Sequence, residues 1–163
     1  HQAVKAAGVL DMDVTWLKAG DEIDAGNGCA FEVLGPLSLD EQDENNNSLV
    51  LRLTTPEGTA LLMGDAELEE EAEIIAASAG KLDADYLKAA HHGRDDATSA
   101  AFARMVSPQI AVISTDRTDE PRSAATSVIA SLEDAGAAVY ITEHFDLGVR
   151  VRLKNGQAEL IEE

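Results

Sequence analysis

The stretch Asp85-Tyr86-Leu87-Lys88-Ala89-Ala90-His91-His92-Gly93 decides the fold class. Its first five residues predict a strand, and its last three form a polar turn. Upstream, Thr59 to Met63 predicts another strand, which ends at Gly64-Asp65. Loops that leave the same edge of a sheet bring their side chains together, so we expect Asp65 to converge with the two histidines.

The surrounding sequence predicts a mixed α/β arrangement in one domain, residues 1–163. Apolar periodicity and terminal Gly or Pro residues predict helices at Gln2–Ala7, Ala66–Ala79, Ser99–Val106 and Ala124–Ala135. Apolar or alternating runs predict further strands at Val14–Leu17, Cys29–Leu34, Leu49–Leu53, Ile110–Ile113, Ala138–Thr142, Val149–Leu153 and Ala158–Ile161. Lys18 to Gly28 is predicted to be turn-rich and Ser38 to Asn47 to be a surface loop.

Composition limits the chemistry. Hydrophobic residues make up 45% of the chain and charged residues 26%, as in globular proteins. Cys29 is the only cysteine, so a metal would need His and Asp ligands. The net charge of −19 opposes nonspecific DNA binding unless a metal or a basic patch intervenes, and the acidic residues of Glu67 to Glu73 are interpreted as solvated surface. No apolar run approaches the ~20 residues that span a bilayer, which predicts a soluble domain without membrane contact.

Asp65 and the histidine pair each allow two interpretations. Imidazole nitrogen and carboxylate oxygen suit zinc, manganese or iron, and a shared carboxylate can hold two ions close together. Asp65 is equally suited to cap the helix that follows it. The histidines are also explained as one buried residue with an exposed neighbour. Asn45-Asn46-Asn47-Ser48 is typical of a turn.

Four segments in order, Leu17–Asp21, Asn45–Leu51, Leu62–Glu67 and Asp85–Gly93, resemble the ComEC-type competence hydrolases, which are metallo-β-lactamase-fold domains of bacterial DNA-uptake channel proteins. The resemblance covers nearly the whole chain. It implies roughly the carboxy-terminal half of an αββα sandwich, with a mixed sheet and flanking helices. Asp65 then matches the shared carboxylate of a two-ion zinc or manganese site, and either His91 or His92 matches its last ligand.

The same resemblance implies phosphodiesterase or nuclease-type chemistry linked to DNA uptake, in a bacterial domain attached to an inner-membrane channel protein. Expected substrate contacts are Lys88, Arg94, Asn47 and Ser48. The family's first ligand cluster, His-x-His-x-Asp-His, does not occur in this sequence. Activity is therefore expected to require an absent amino-terminal half.

Two further departures from the family pattern bear on activity. Arg94 stands where relatives carry Ser, and Glu120-Pro121-Arg122-Ser123 replaces their His-Pro-Ser-Pro. The alternative function is a degenerate, noncatalytic module used for binding or assembly. In either case, a chain cut through a sandwich fold, with its amino-terminal half missing, is expected to self-associate or to pair with the missing half.

Overall fold

A seven-stranded mixed sheet organises the computed structural model, which describes residues 5, 8–10, 12–118 and 120–161 apart from the side chain of Ala79. The strands are β1 (Glu22–Gly26), β2 (Cys29–Gly35), β3 (Val50–Thr55), β4 (Gly58–Leu62), β5 (Tyr86–Lys88), β6 (Ile110–Ile113) and β7 (Ala138–Ile141), in that spatial order. A separate hairpin joins β8 (Val151–Lys154) to β9 (Gln157–Leu160). Short 3-10 turns lie at Asn45–Asn47, Ala79–Lys81, His91–Gly93 and Thr142–His144.

The sheet changes direction at β4. Strands β1 to β4 form an antiparallel meander, whereas β4 to β7 are parallel. Parallel neighbours need crossover connections, and these contain α1 (Leu68–Ser78), α2 (Ala100–Val106) and α3 (Thr126–Asp134). The mixed sheet with its helices confirms the predicted α/β class.

One core joins the parallel strands to the three helices. Leu61, Leu87 and Ile113 of the sheet are fully buried, and they belong to the same cluster as Ile74, Phe102 and Leu132 of the helices. Every residue of β6 is buried, as expected for a strand with neighbours on both sides in a parallel sheet. Because β4, β5 and β6 run in the same direction, the loops that follow them leave from the same edge.

Most of the predicted elements are present, with ends that differ by at most two residues. The predicted strand Val14–Leu17 is wrong, because residues 14–17 have no regular structure and Trp16 is 74% exposed, without a neighbouring strand. The edge strand is instead β1, inside the segment predicted to be turn-rich. Asn27 and Gly28, both at positive φ, turn β1 directly into β2.

The predicted helix Gln2–Ala7 lies mainly outside the described residues. Within the described ranges, no helix combines the length and apolar character needed to cross a bilayer.

Candidate metal centre

Asp65 and His92 meet at the edge of the sheet where the parallel strands end. Asp65 follows β4 and His92 follows β5, and their Oδ1 and Nε2 atoms lie 3.6 Å apart. The other ring nitrogen, Nδ1, lies 2.6 Å from the carbonyl oxygen of Ser114, just after β6. The His92 ring, which follows β5, is therefore held between residues that follow the two neighbouring strands, β4 and β6. Both side chains remain partly exposed, so the pair lines an open surface.

The backbone of the histidine turn sends the two rings in different directions. His91, His92 and Gly93 have φ angles of 42°, 53° and 69°, all in the left-handed region that non-glycine residues rarely adopt. The His92 and Gly93 carbonyls accept hydrogen bonds from the N–H groups of Ala124 and Ala125 at 3.0 and 2.8 Å. For the two histidines such backbone geometry costs about 1–3 kcal/mol each, and it often accompanies functional sites.

His91 belongs to a different cluster from His92. Its ring is only 7% exposed, and its Nδ1 lies 3.1 Å from Glu67 Oε1 and 3.1 Å from Asp96 Oδ1. The ligand atoms of these three residues all lie within 4.8 Å of one another, so the cluster is able to hold a metal ion. Both contacts are short, but neither has hydrogen-bond geometry, and Nδ1 and Asp96 Oδ1 have no hydrogen-bond partner among the described residues.

Sequence reasoning missed Glu67 and Asp96. The run of acidic residues predicts solvated surface at Glu67, although this residue lies only two positions after Asp65. The prediction of solvated surface is wrong for Glu70 and Glu71, because each is only 2% exposed. A helix that begins at Leu68 turns these two acids toward the core, and a charge count along the sequence does not reveal this.

The buried acids contact the loops that carry the site. Burial raises the pKa of Glu70 to about 8, against a hydrogen bond from the Ser48 N–H that lowers it. Burial also raises the pKa of Glu71, whose carboxylate oxygens accept hydrogen bonds from the Ser99 N–H at 3.1 and 3.2 Å. Both helix α1 acids therefore anchor backbone N–H groups of other segments.

Ser48 and Asn47 lie in the loop that precedes β3, and their side chains make hydrogen bonds that hold this loop in place. The Ser48 hydroxyl accepts a hydrogen bond from the Asp65 N–H at 3.0 Å, which ties this loop to the candidate ligand. Asn47 Oδ1 accepts from the Asp40 N–H at 2.8 Å, while its Nδ2 donates to the Asp40 carbonyl at 2.8 Å. The Asn47 side chain is therefore occupied by its own loop.

Helix α1 begins three residues beyond Asp65, which places Glu67 rather than Asp65 at the capping position.

The two basic residues near the histidines differ in their surroundings. Lys88 Nζ donates to the Ala89 carbonyl at 2.9 Å. Burial lowers the pKa of Lys88, and the nearby Asp65 carboxylate opposes this shift. Arg94 instead lies 3.2 Å from Asp96 Oδ2, and Arg122 contacts the same oxygen at 3.1 Å. Lys88 is thus the cation associated with Asp65, whereas Arg94 is paired with Asp96.

Comparison with known proteins finds homologues but no matching family profile. The chain is 35% identical over 113 residues to ComE operon protein 3 of Bacillus subtilis, 34% identical over 90 residues to Recombination protein 2 of Haemophilus influenzae, and 33% identical over 88 residues to Competence protein ComA of Neisseria gonorrhoeae. These alignments cover 69%, 55% and 54% of this chain, but only 14%, 11% and 13% of the relatives. The predicted kinship with bacterial competence proteins is confirmed, and the chain spans a small part of the proteins it matches.

Proposed function

We propose that this chain is part of a metal-dependent hydrolase of the metallo-β-lactamase fold, which cleaves phosphodiester bonds in a process linked to DNA uptake. The observation that carries the proposal is the approach of His92 Nε2 to within 3.6 Å of Asp65 Oδ1 at the edge of the parallel strands. The similarity to competence proteins supports the link to DNA uptake.

The donor set fits zinc or manganese. The Ser114 carbonyl accepts a hydrogen bond from the Nδ1–H of His92, which leaves the lone pair of the neutral ring on Nε2, and such outer contacts commonly orient metal-binding histidines. Two ligands bound at 2.0–2.2 Å to a tetrahedral ion lie about 3.4 Å apart, close to the observed separation. Among the residues the structure describes, no third metal-binding side chain joins this pair. A complete two-ion site therefore needs ligands from elsewhere in the protein.

When bound, the ions would supply a hydroxide nucleophile and stabilise negative charge on the phosphoryl oxygens. The chain's own residues provide the setting for this chemistry. Asp65 and His92 would bind the ions, Ser48 holds the backbone of Asp65 in position, and the Lys88 ammonium offers a positive charge close to Asp65 for a phosphate group. Local positive charge matters because the whole chain carries −19.

Hydrolysis by the complete gene product tests the proposal. We expect zinc- or manganese-dependent cleavage of bis(p-nitrophenyl) phosphate and of single-stranded DNA, and a loss of at least about 100-fold in Asp65→Asn and His92→Gln. Asp134→Asn, an exposed carboxylate at the end of α3, is the matched control and should retain activity. Full activity in both site variants, or no metal-dependent cleavage by the unmodified protein, would contradict the proposal.

A noncatalytic role in binding or assembly is the second candidate. It is favoured by exposed apolar side chains at Val9, Leu10 and Trp16, which are 86%, 68% and 74% exposed. Apolar surface of this kind commonly marks a contact with another chain or domain. Sedimentation of the purified chain tests this candidate, because self-association that is lost in Trp16→Ser supports it and a strictly monomeric chain counts against it.

A further inference from the structure

We infer that Glu67, His91 and Asp96 form a second cation site, which takes a divalent ion of the zinc type and is separate from the Asp65–His92 pair. The inference does not depend on hydrolytic activity. It assigns His91 a ligand role of its own, so that the two adjacent histidines would serve two different sites.

The distances within the cluster match those between ligands of one ion. His91 Nδ1 lies 3.1 Å from Glu67 Oε1 and 3.1 Å from Asp96 Oδ1. With bonds of 2.0–2.2 Å, neighbouring ligands lie about 3.4 Å apart around a tetrahedral ion and about 3.0 Å apart around an octahedral one. The observed separations fall between these two values.

Unpartnered buried atoms point into the same space. His91 is only 7% exposed, yet its Nδ1 has no hydrogen-bond partner among the described residues, and neither does Asp96 Oδ1. A buried polar atom without a partner costs about 1–3 kcal/mol, and native proteins contain few of them. A cation between the three residues would satisfy both atoms at once.

The surrounding contacts orient the carboxylates toward that space. Arg94 and Arg122 contact Asp96 Oδ2 at 3.2 and 3.1 Å, which leaves Oδ1 directed at His91. Asn45 Nδ2 donates to Glu67 Oε1 at 3.0 Å, which holds in place the same oxygen that faces His91. Outer contacts of this kind are typical of metal sites.

The backbone brings the three segments together independently of any ion. The Leu68 N–H donates to the Asp96 carbonyl at 3.1 Å, and the His91 N–H donates to the Gly64 carbonyl at 3.1 Å. An ion held by Glu67, His91 and Asp96 would therefore cross-link the start of α1, the histidine turn and the turn at Asp96. It would stiffen the edge that also carries Asp65 and His92.

One imidazole nitrogen and two carboxylate oxygens select the type of ion. Calcium prefers six to eight oxygen ligands and magnesium an octahedron of oxygens, whereas zinc accepts nitrogen and oxygen in a four-coordinate site. Water would complete the coordination, since Glu67 and Asp96 are 15% and 28% exposed. Zinc is therefore the ion to test first.

Zinc titration of the 163-residue chain in an Asp65→Asn background, which weakens the other pair, tests the inference. After removal of metal with a chelator, calorimetry should detect one zinc ion per chain, and cobalt should give the visible absorption of a site with a histidine ligand. Asp96→Asn should weaken binding at least tenfold. Asp95→Asn, which makes the same change at the adjacent exposed carboxylate, should leave the affinity unchanged.

Thermal unfolding separates loss of the site from loss of the fold. Zinc should raise Tm in the Asp65→Asn chain and in the Asp95→Asn control, but not in Asp96→Asn. If Asp96→Asn does not fold without metal, Glu67→Gln replaces it with the same expectation. A folded Asp65→Asn chain that binds no zinc would overturn the inference. Equal affinity with and without the Asp96 carboxylate would overturn it as well.

Discussion

The buried carboxylate of Glu70 accepts a hydrogen bond from the Ser48 N–H at 3.1 Å. The Ser48 hydroxyl in turn accepts one from the Asp65 N–H at 3.0 Å. A buried acid on α1 is thereby linked through a single residue to a candidate metal ligand. The second oxygen of Glu70, Oε1, has no hydrogen-bond partner among the described residues, so no donor there stabilises the charged form against burial.

Glu70 should make the stability of the chain depend on pH. Its pKa rises from an ordinary 4.5 to about 8 on folding, so between these pH values the folded chain holds a proton that the unfolded chain releases. The stabilisation is fully present below pH 4.5 and is lost as the pH rises through 8. Each pKa unit corresponds to about 1.4 kcal/mol, and the total loss should reach roughly 2–5 kcal/mol.

Glu70→Gln should remove this dependence, because glutamine stays neutral and keeps an acceptor for the Ser48 N–H. Urea unfolding at pH 5, 7 and 9 should show the variant gaining free energy of unfolding relative to the unmodified chain as the pH rises. Glu71 keeps its own raised pKa in both proteins, so the difference between them isolates Glu70. Exposed Glu69→Gln is the matched control, and an equal response in it would refute the assignment.

Ser48→Ala should cost about 1 kcal/mol of stability, since the Asp65 N–H loses its acceptor. This expectation treats Ser48 as a residue that positions Asp65, whereas its sequence context predicted a substrate contact. Denaturant unfolding at fixed pH measures the loss, with exposed Ser127→Ala as the control. A Ser48→Ala chain as stable as the control would show that the hydrogen bond from the Asp65 N–H to the Ser48 hydroxyl does not contribute to stability.

The sheet edge where Asp65 and His92 meet was predictable from sequence because it follows from strand direction. Apolar runs identified β4 and β5, and the loops after parallel strands leave from one edge. The partner of each histidine was not predictable in this way. Three successive residues with positive φ rotate the two rings apart, and His91 and His92 are chemically identical in the sequence.

The cluster around His91 shows the limit of charge patterns. Asp96 stands beside Asp95 in the sequence, yet Asp95 contacts Arg122 at the surface while Asp96 also faces a buried imidazole. The backbone at Asp96 is held by a hydrogen bond from the Leu68 N–H to the Asp96 carbonyl, which joins residues 28 positions apart. Local spacing carries no information about such long-range contacts.

Gly93→Ala should be more destabilising than an ordinary glycine replacement. An added Cβ would lie 2.8 Å from Ile113 Cγ2 and 3.4 Å from the Ala124 Cα, in addition to the cost of a φ of 69°. Overpacking typically costs about 1–3 kcal/mol and the left-handed backbone about 1 kcal/mol, so we expect a loss of roughly 2–4 kcal/mol.

Gly136→Ala is the control for Gly93→Ala, because its φ is 97° but nothing lies within 4 Å of the added atom. It should cost only the backbone part, about 1 kcal/mol. Urea unfolding of both variants measures the difference. Equal losses would mean that the turn moves away from Ile113 at little cost, and the two histidine directions would then not depend on this packing.

Lys88 and Arg94 should contribute differently to DNA binding by the complete gene product. Both were predicted as substrate contacts, but Arg94 is paired with Asp96, while among the described residues the Lys88 ammonium contacts the Ala89 carbonyl and interacts with the charge of Asp65. Each phosphate that a protein neutralises on a single strand adds about 0.7 to the steepness with which log Kd depends on log salt. Lys88→Gln should lower that slope by about this amount and weaken binding, whereas Arg94→Gln should leave the slope unchanged.

Lys81→Gln, which removes an exposed lysine paired with Glu32, controls for the change in net charge. A slope that falls in Arg94→Gln but not in Lys88→Gln would reverse the assignment and place the phosphate on the Asp96 side of the histidine turn.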